Sequence, residues 1–408
     1  MGPLDGIRIL DFTWALAGPF GTMILCDMGA EVWRIEPVGM TEAERAPGPV
    51  VDGVNLYYFS LSRGKQAVHI DLKSDAGREI ALSLAEHVDV VTENFSPGTM
   101  QTLGLAYEVI AARNPRIIYA STSGFGQTGP ASKRGAVDVI VQAMSGLMSI
   151  TGHPDGPPAR AGYSIGDMAA GMFTAIGVLG ALVEREKSGR GQYLDVAMLD
   201  AQFALLENAM TRYFATGAVP GPIGTRHPLI TPFQAFASAD GWLVVAGVKD
   251  WALFCALLEL DALVADERFA TNAARTANHA ALEPLLSDAF RRRTTDDWIA
   301  ALEGACLVAP MHTIASAAAD PQANHREMFV DVPGGEGGTV RVVNSPLKYS
   351  RTKVQVERGA DRVGAHTADV LRRVLGMSDE RIDDLRRAGV VQTDDDAPDE
   401  SRRTRPPL

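Results

Sequence analysis

Asp167 is the residue whose setting could do chemistry. In Gly162-Tyr163-Ser164-Ile165-Gly166-Asp167 one carboxylate stands between a glycine-bearing approach and a run of small and apolar residues reaching Leu182. An aspartate at a helix N-terminus accepts hydrogen bonds from the free first-turn amides, and the helix dipole favours its ionised form. Two readings stay open. Asp167 is an N-cap, or it is a nucleophilic carboxylate kept charged by the same amides and reachable because Gly162 and Gly166 leave the backbone bare. Local sequence does not separate them. The run from Met168 to Leu182 is apolar on every side, which predicts a buried helix.

The elements that must hold this residue alternate. Apolar runs at Ile7–Phe12, Glu31–Glu36, Gln66–Leu72, Val88–Val91, Arg116–Ala120 and Tyr193–Met198 read as strands. Between them lie helical patterns, among them Asp75–Glu86, opened by a Ser74 or Asp75 cap, and Tyr107–Ala112. Such alternation predicts a parallel sheet with helices on its faces, binding ligands beyond the C-terminal strand ends. The loops there, Ala17-Gly18-Pro19, Asn94-Phe95-Ser96-Pro97-Gly98 and Ser123-Gly124-Phe125-Gly126, mix glycine with polar groups and suit close backbone approach to a ligand. None is a Gly-x-Gly-x-x-Gly fingerprint and there is no Walker motif, so dinucleotide and nucleoside-triphosphate enzymes lose support.

After a predicted helix over Leu199–Tyr213, residues 217–232 are dense in proline and glycine and read as a linker. The expected organisation is 1–216 as the first part of a large domain, 233–325 as a smaller α+β domain, 326–392 as the return to the large domain, and 393–408 as a disordered tail. Pro333–Thr339 reads as a hairpin turn, and Thr367–Leu375 and Asp379–Arg387 as amphipathic helices.

Composition narrows the function. The 408 residues are 46% hydrophobic with a net charge of −12, enough for a large core and against a broad nucleic-acid surface. Cys26, Cys255 and Cys306 are too few and too scattered for a disulfide framework or a metal knuckle. With no basic, apolar leader at Met1-Gly2-Pro3-Leu4-Asp5, a reducing cytoplasm is expected.

Several separated motifs, in order, carry a resemblance: Leu10-Asp11-Phe12 with Ala17-Gly18-Pro19, Gly29-Ala30-Glu31-Val32 with Arg34-Ile35-Glu36-Pro37, Glu93-Asn94-Phe95 with Pro97-Gly98, and Ser123-Gly124-Phe125-Gly126. Asp138 with Gln142 and Ser145-Gly146, Gly189-Arg190-Gly191-Gln192, Arg226-His227-Pro228 and Gly364-x-His366-Thr367 continue it. From Leu4 to about Val391 the chain resembles the family III CoA-transferases, the group of formyl-CoA transferase. The resemblance implies an α/β fold with a Rossmann-like large domain, an interlocked homodimer, coenzyme A as substrate with no metal, and Asp167 as covalent nucleophile. It further implies Ala15 and Leu16 near the pantetheine, Arg34, Leu61, Arg63 and Lys65 near the nucleotide, and Asn94, Phe95, Gly124 and Asp138 among the CoA contacts. His227 would line a loop over the site or merely end a turn.

The chain also departs from formyl-CoA transferase. Leu16 stands where that enzyme has glutamine, Thr102 where it has arginine, and Gly221-Pro222-Ile223-Gly224 where it has a glycine run. These departures turn the expectation from formyl-CoA and oxalate towards a larger acyl group, with succinate the first donor to try. Acyl-CoA racemases of the same group carry His-Asp where this chain has Val137-Asp138, so an isomerase would lack one base. A non-catalytic CoA-binding protein is the other alternative.

Overall fold

Alternation along β1 (Arg8–Asp11) divides the larger unit into two layers. Ile9 and Leu10 point to opposite faces, as successive strand residues must. Leu10 joins Trp33, Val68, Val91 and Tyr119 against one set of helices; Ile9 joins Val32, Val90 and Ile118 against another. Both faces of the central strands are covered, so β1, β6 and β7 carry consecutive buried residues rather than a buried–exposed alternation.

The computed structural model describes residues 2–51, 53–334, 338–354 and 356–396. In chain order β1 is followed by α1 (Ala17–Asp27), β2 (Glu31–Glu36), a short hairpin of β3 (Val50–Val51) and β4 (Val54–Asn55), α2 (Leu56–Ser62), β5 (Gln66–Ile70) and α3 (Asp75–Ala85). Next come β6 (Val90–Glu93), α4 (Thr99–Thr102), α5 (Tyr107–Arg113), β7 (Ile118–Ser123), α6 (Asp138–Ser145), α7 (Leu147–Ile150), α8 (Ile165–Ser188), β8 (Gln192–Ala197) and α9 (Met198–Leu205). The C-terminal half adds β9 (Gln234–Ala237), β10 (Trp242–Ala246), β11 (Leu307–Pro310), β12 (Phe329–Pro333), β13 (Thr339–Val343) and β14 (Val391–Gln392).

Seven strands form the main sheet in the order β14-β5-β2-β1-β6-β7-β8. All neighbours are parallel except β14, which pairs antiparallel to β5, Val391 opposite Ile70. The expected α/β class and parallel sheet are thus observed. So is the cap of α3: the Ser74 hydroxyl accepts the Gly77 N–H at 3.0 Å. Residues 335–337 of the expected hairpin turn lie outside the described residues, while the strands flanking it pair from Pro333↔Thr339 onward. Of the expected tail only 393–396 are described.

On one face α1 and α8 pack backbone to backbone. A Cβ on Gly171 would lie 2.6 Å from the Ala17 carbonyl oxygen, and one on Gly21 would lie 2.8 Å from that of Gly171. Only glycine fits either place. The 24 residues of α8 are long and apolar enough to cross a membrane, but its buried residues Ala175, Val178, Ala181 and Leu182 are core packing against the sheet. It is not buried all round as expected: Met172, Ile176 and Val183 are 42%, 60% and 63% exposed. The helix predicted over 199–213 breaks at Leu206 into α9 and Glu207–Thr216.

Contacts divide the chain into two units. One holds Met1–Ser145, Gly162–Met210 and Asn324–Leu408; the other holds Gly146–Ala161 and Thr211–Ala323. The smaller unit therefore takes in the proline- and glycine-dense stretch read as a linker, together with 146–161, which sequence reading left in the large domain. Its antiparallel sheet, β11-β10-β9, packs Phe236, Leu243 and Val245 on Phe254, Phe290 and Trp298.

Candidate active site

β1 and β6 are adjacent strands from which the chain leaves in opposite directions across the sheet. Such a reversal opens a crevice beyond the C-terminal strand ends. The loops leaving these two strands are tied together by Asn94. The Trp14 N–H donates to Asn94 Oδ1 at 2.8 Å, and Asn94 Nδ2 donates to the Trp14 carbonyl at 2.9 Å. This clamp holds Ala15 in the left-handed region, φ 59°, a conformation a non-glycine residue adopts only under constraint. Trp14 and Ala15 are exposed and Leu16 half-buried. Phe95 packs partly on the core while its N–H donates to the Glu93 carboxylate at 2.9 Å. Burial pushes Glu93 up to about 7. Gly124, half-buried, follows β7.

Asp167 reaches the same rim. Because α8 precedes β8, which runs parallel to β7, its N-terminus lies at the C-terminal ends of the strands. Gly171, one turn or about 6 Å beyond Asp167, touches the first turn of α1. The ring of Tyr57, from α2, is close enough that the Asp167 charge, after burial, raises its phenol.

The local geometry corrects the expectation of a capping aspartate. Asp167 is the third residue of α8; the N-cap is Ser164, whose side chain makes no capping bond. A carboxylate from α6 takes the free amide instead, the Gly166 N–H donating to Asp138 Oδ1 at 2.8 Å. Burial first, and then the Asp138 charge, push Asp167 up to about 6. The setting thus favours the proton rather than the ion, and among the described residues no cation offsets it. At pH 7 such a group is still ionised roughly nine-tenths of the time. A half-buried, poorly solvated carboxylate without a counter-ion is suited to attack an electrophilic carbon.

Of the residues expected at the site, the structure brings Ala15, Leu16, Asn94, Phe95 and Gly124 to one rim with Asp167. It does not bring the cations there. Lys65 is 2% exposed, its Nζ donating to Thr22 Oγ1 at 2.7 Å, the Pro19 carbonyl at 3.0 Å and Asp11 at 3.2 Å. Arg63 pairs with Asp27 at 2.6 Å and lines a cavity of about 420 Å³ at the N-terminal end of β2. Arg34 donates to Ser62 at 2.6 Å, pairs with Glu36 at 3.2 Å and covers the Tyr58 ring. Leu61 is buried. All four side chains are buried, and the three cations are engaged in internal ion pairs. Asp138 is buried too, both oxygens occupied, Oδ2 by Gln142 Nε2 at 2.6 Å. His227 lies in the smaller unit, where its Nδ1 accepts the Leu229 N–H at 3.1 Å. Sequence reasoning missed Tyr57, which no spacing marks, and gave Asn94 no part in holding the β1 loop.

The family model described as CoA-transferase family III matches residues 4–367. The chain is similar to the acetyl-CoA:oxalate CoA-transferase of Acetobacter aceti, 41% identical over 86% of this chain and 90% of that protein. It is similar to the succinate--glutarate CoA-transferase of Agrobacterium fabrum, 38% identical over 90% of this chain and 95% of that one. Among solved structures it resembles a CAIB/BAIF family protein from Brucella suis, with a TM-score of 0.83 and 34% identity over 91% of this chain and 99% of that chain.

Proposed function

The chain belongs to CoA-transferase family III, and from that premise we propose that Asp167 is the covalent nucleophile of a transfer from a small dicarboxylyl-CoA, succinyl-CoA first, to a free carboxylic acid. The observation that carries this reading is the Asp167 carboxylate, half-buried beside the loops after β1 and β6 and, among the described residues, lacking a counter-ion. One carboxylate oxygen attacks the thioester carbonyl; the C–S bond breaks and the CoA thiolate leaves with its electron pair, giving a mixed anhydride. The thiolate attacks the Asp167 carbonyl and expels the donor acid, leaving an aspartyl-CoA thioester. The acceptor carboxylate then attacks that thioester, forming a second anhydride, and the thiolate takes the new acyl group, restoring Asp167. Each step exchanges one acyl bond for another, so nothing but the exclusion of water must be supplied. Oxalate for the Acetobacter aceti relative and succinate and glutarate for the Agrobacterium fabrum relative favour a small diacid.

A second copy completes the reading. Met172, Ile176 and Val183 lie on one exposed face of α8, spaced by four and seven residues, an apolar stripe suited to a dimer interface. Light scattering should give twice 43.5 kDa, and a monomer at micromolar concentration would remove this part. The free cysteines suit a cytoplasmic setting. Val137 is 61% exposed and offers no base, which leaves the isomerase reading without a partner for Asp167. The test of the nucleophile is chemical. Succinyl-CoA with hydroxylamine should inactivate the enzyme and leave a hydroxamate on Asp167, seen by peptide mass spectrometry; label elsewhere, or none during turnover, overturns it.

A further inference from the structure

Beneath the first turn of α8 lies a buried polar cluster that the chemistry just described does not use. Asp138 opens α6 with one carboxylate oxygen on the Gly166 N–H and the other on Gln142. Gly166 is boxed in from the other side by α9. A Cβ there would lie 3.1 Å from Asp138 Oδ1 and 3.2 Å from Gln202 Nε2, and Gln202 Oε1 in turn accepts from Ser145 at 3.4 Å. A side chain at Gly166 would make both neighbours give by a few tenths of an ångström, so glycine lets the turn bearing the reactive acid sit this close to both. The amide Asp138 holds immediately precedes Asp167.

We propose that Asp138 is a positioning residue of the transfer: it fixes the turn that aims Asp167 and supplies the negative charge that keeps Asp167 a reactive base. This rests on Asp167 being the nucleophile. Among the described residues, the charged or titratable groups that act on Asp167 or feel its charge are Asp138, from α6, and Tyr57, from α2. A weakly solvated carboxylate beside a like charge is a stronger nucleophile than one stabilised by a cation, because its electron pair is less firmly held. An acceptor that merely closed a helix end would need no charge, since a neutral amide oxygen does the same.

That difference sets the experiment. Asp138→Asn keeps an acceptor for the Gly166 N–H and removes the charge; Asp138→Ala removes both. With succinyl-CoA and glutarate as probe substrates, the acid limb of kcat/KM in the wild type should fall near pH 6, where Asp167 takes its proton. In either variant the limb should move to lower pH by about one unit. Asp138→Ala should also lose about 10- to 100-fold in kcat with little change in KM, as a misaimed nucleophile does. Because both variants remove the charge, the limb is readable in whichever folds. An unmoved limb overturns the proposal, as does a loss confined to KM. Asp167→Asn separates the two claims. If it is inactive while the Asp138 limb stays put, only the positioning role falls; if it turns over like the wild type, the nucleophile reading falls first.

Discussion

Asp11, at the end of β1, and Asp167, in the first turn of α8, are two acids of the larger unit whose surroundings treat them in opposite ways. Asp11, fully buried at the end of β1, is surrounded by donors: Thr13, Thr22, Thr92 and Lys65 all reach it. Burial alone would raise its carboxyl, but Lys65, then Arg34 and the Thr13 and Thr22 hydroxyls hold it below the ordinary value. Asp167 is less buried yet raised, because its charged neighbour is another acid. A matched charge in the core fixes a shape. An unmatched one, left half-open, stores reactivity.

The largest way to break this contrast is Asp167→Asn, which should cut kcat by at least about 10⁴-fold while the thermal midpoint stays level or rises. A fall in the midpoint would make Asp167 a structural residue like Asp11. Lys65→Met should do the reverse. It leaves Asp11 buried without its cation and should cost about 3–5 kcal/mol, read from the urea midpoint; a shift below 1 kcal/mol would mean the pair is not the anchor of β1. The smallest effect is expected at Glu93, a buried acid with Ser121 and the Phe95 amide as donors but no cation. Its folded value, about 7, exceeds the ordinary 4.5, so the folded state favours the proton and stability is lost as pH rises from 4.5 to 7. Glu93→Gln should therefore gain up to about 3 kcal/mol at pH 8 and nothing below pH 4.5. A gain that does not depend on pH would sharpen the contrast, because packing rather than charge would then be responsible.

Much of the architecture was legible because it rests on local rules. Apolar runs marked the parallel strands, Ser74 marked the start of α3, and Thr367–Leu375 and Asp379–Arg387 matched their helices residue for residue. What could not be read depended on distant partners. Nothing local to Arg34, Arg63 and Lys65 announces the ion pairs they make with Glu36, Asp27 and Asp11 in the fold. The exposed stripe of α8 could not be read from an all-apolar sequence, which does not say which face meets the sheet. Asp138 was picked out by its motif, but only geometry reveals that it accepts the backbone amide of Gly166.

The two-residue strand β14 bears on how this protein is made. Val391 and Gln392 seal the edge of β5, and their partners Ile70 and His69 emerge more than 300 residues earlier. A nascent chain must therefore hold one border of its main sheet unsealed until those two residues have emerged. That border is where unwanted strand pairing between neighbouring chains would begin. Truncation just before Val391 should accordingly show itself as aggregation during expression, sooner than as any defect in catalysis.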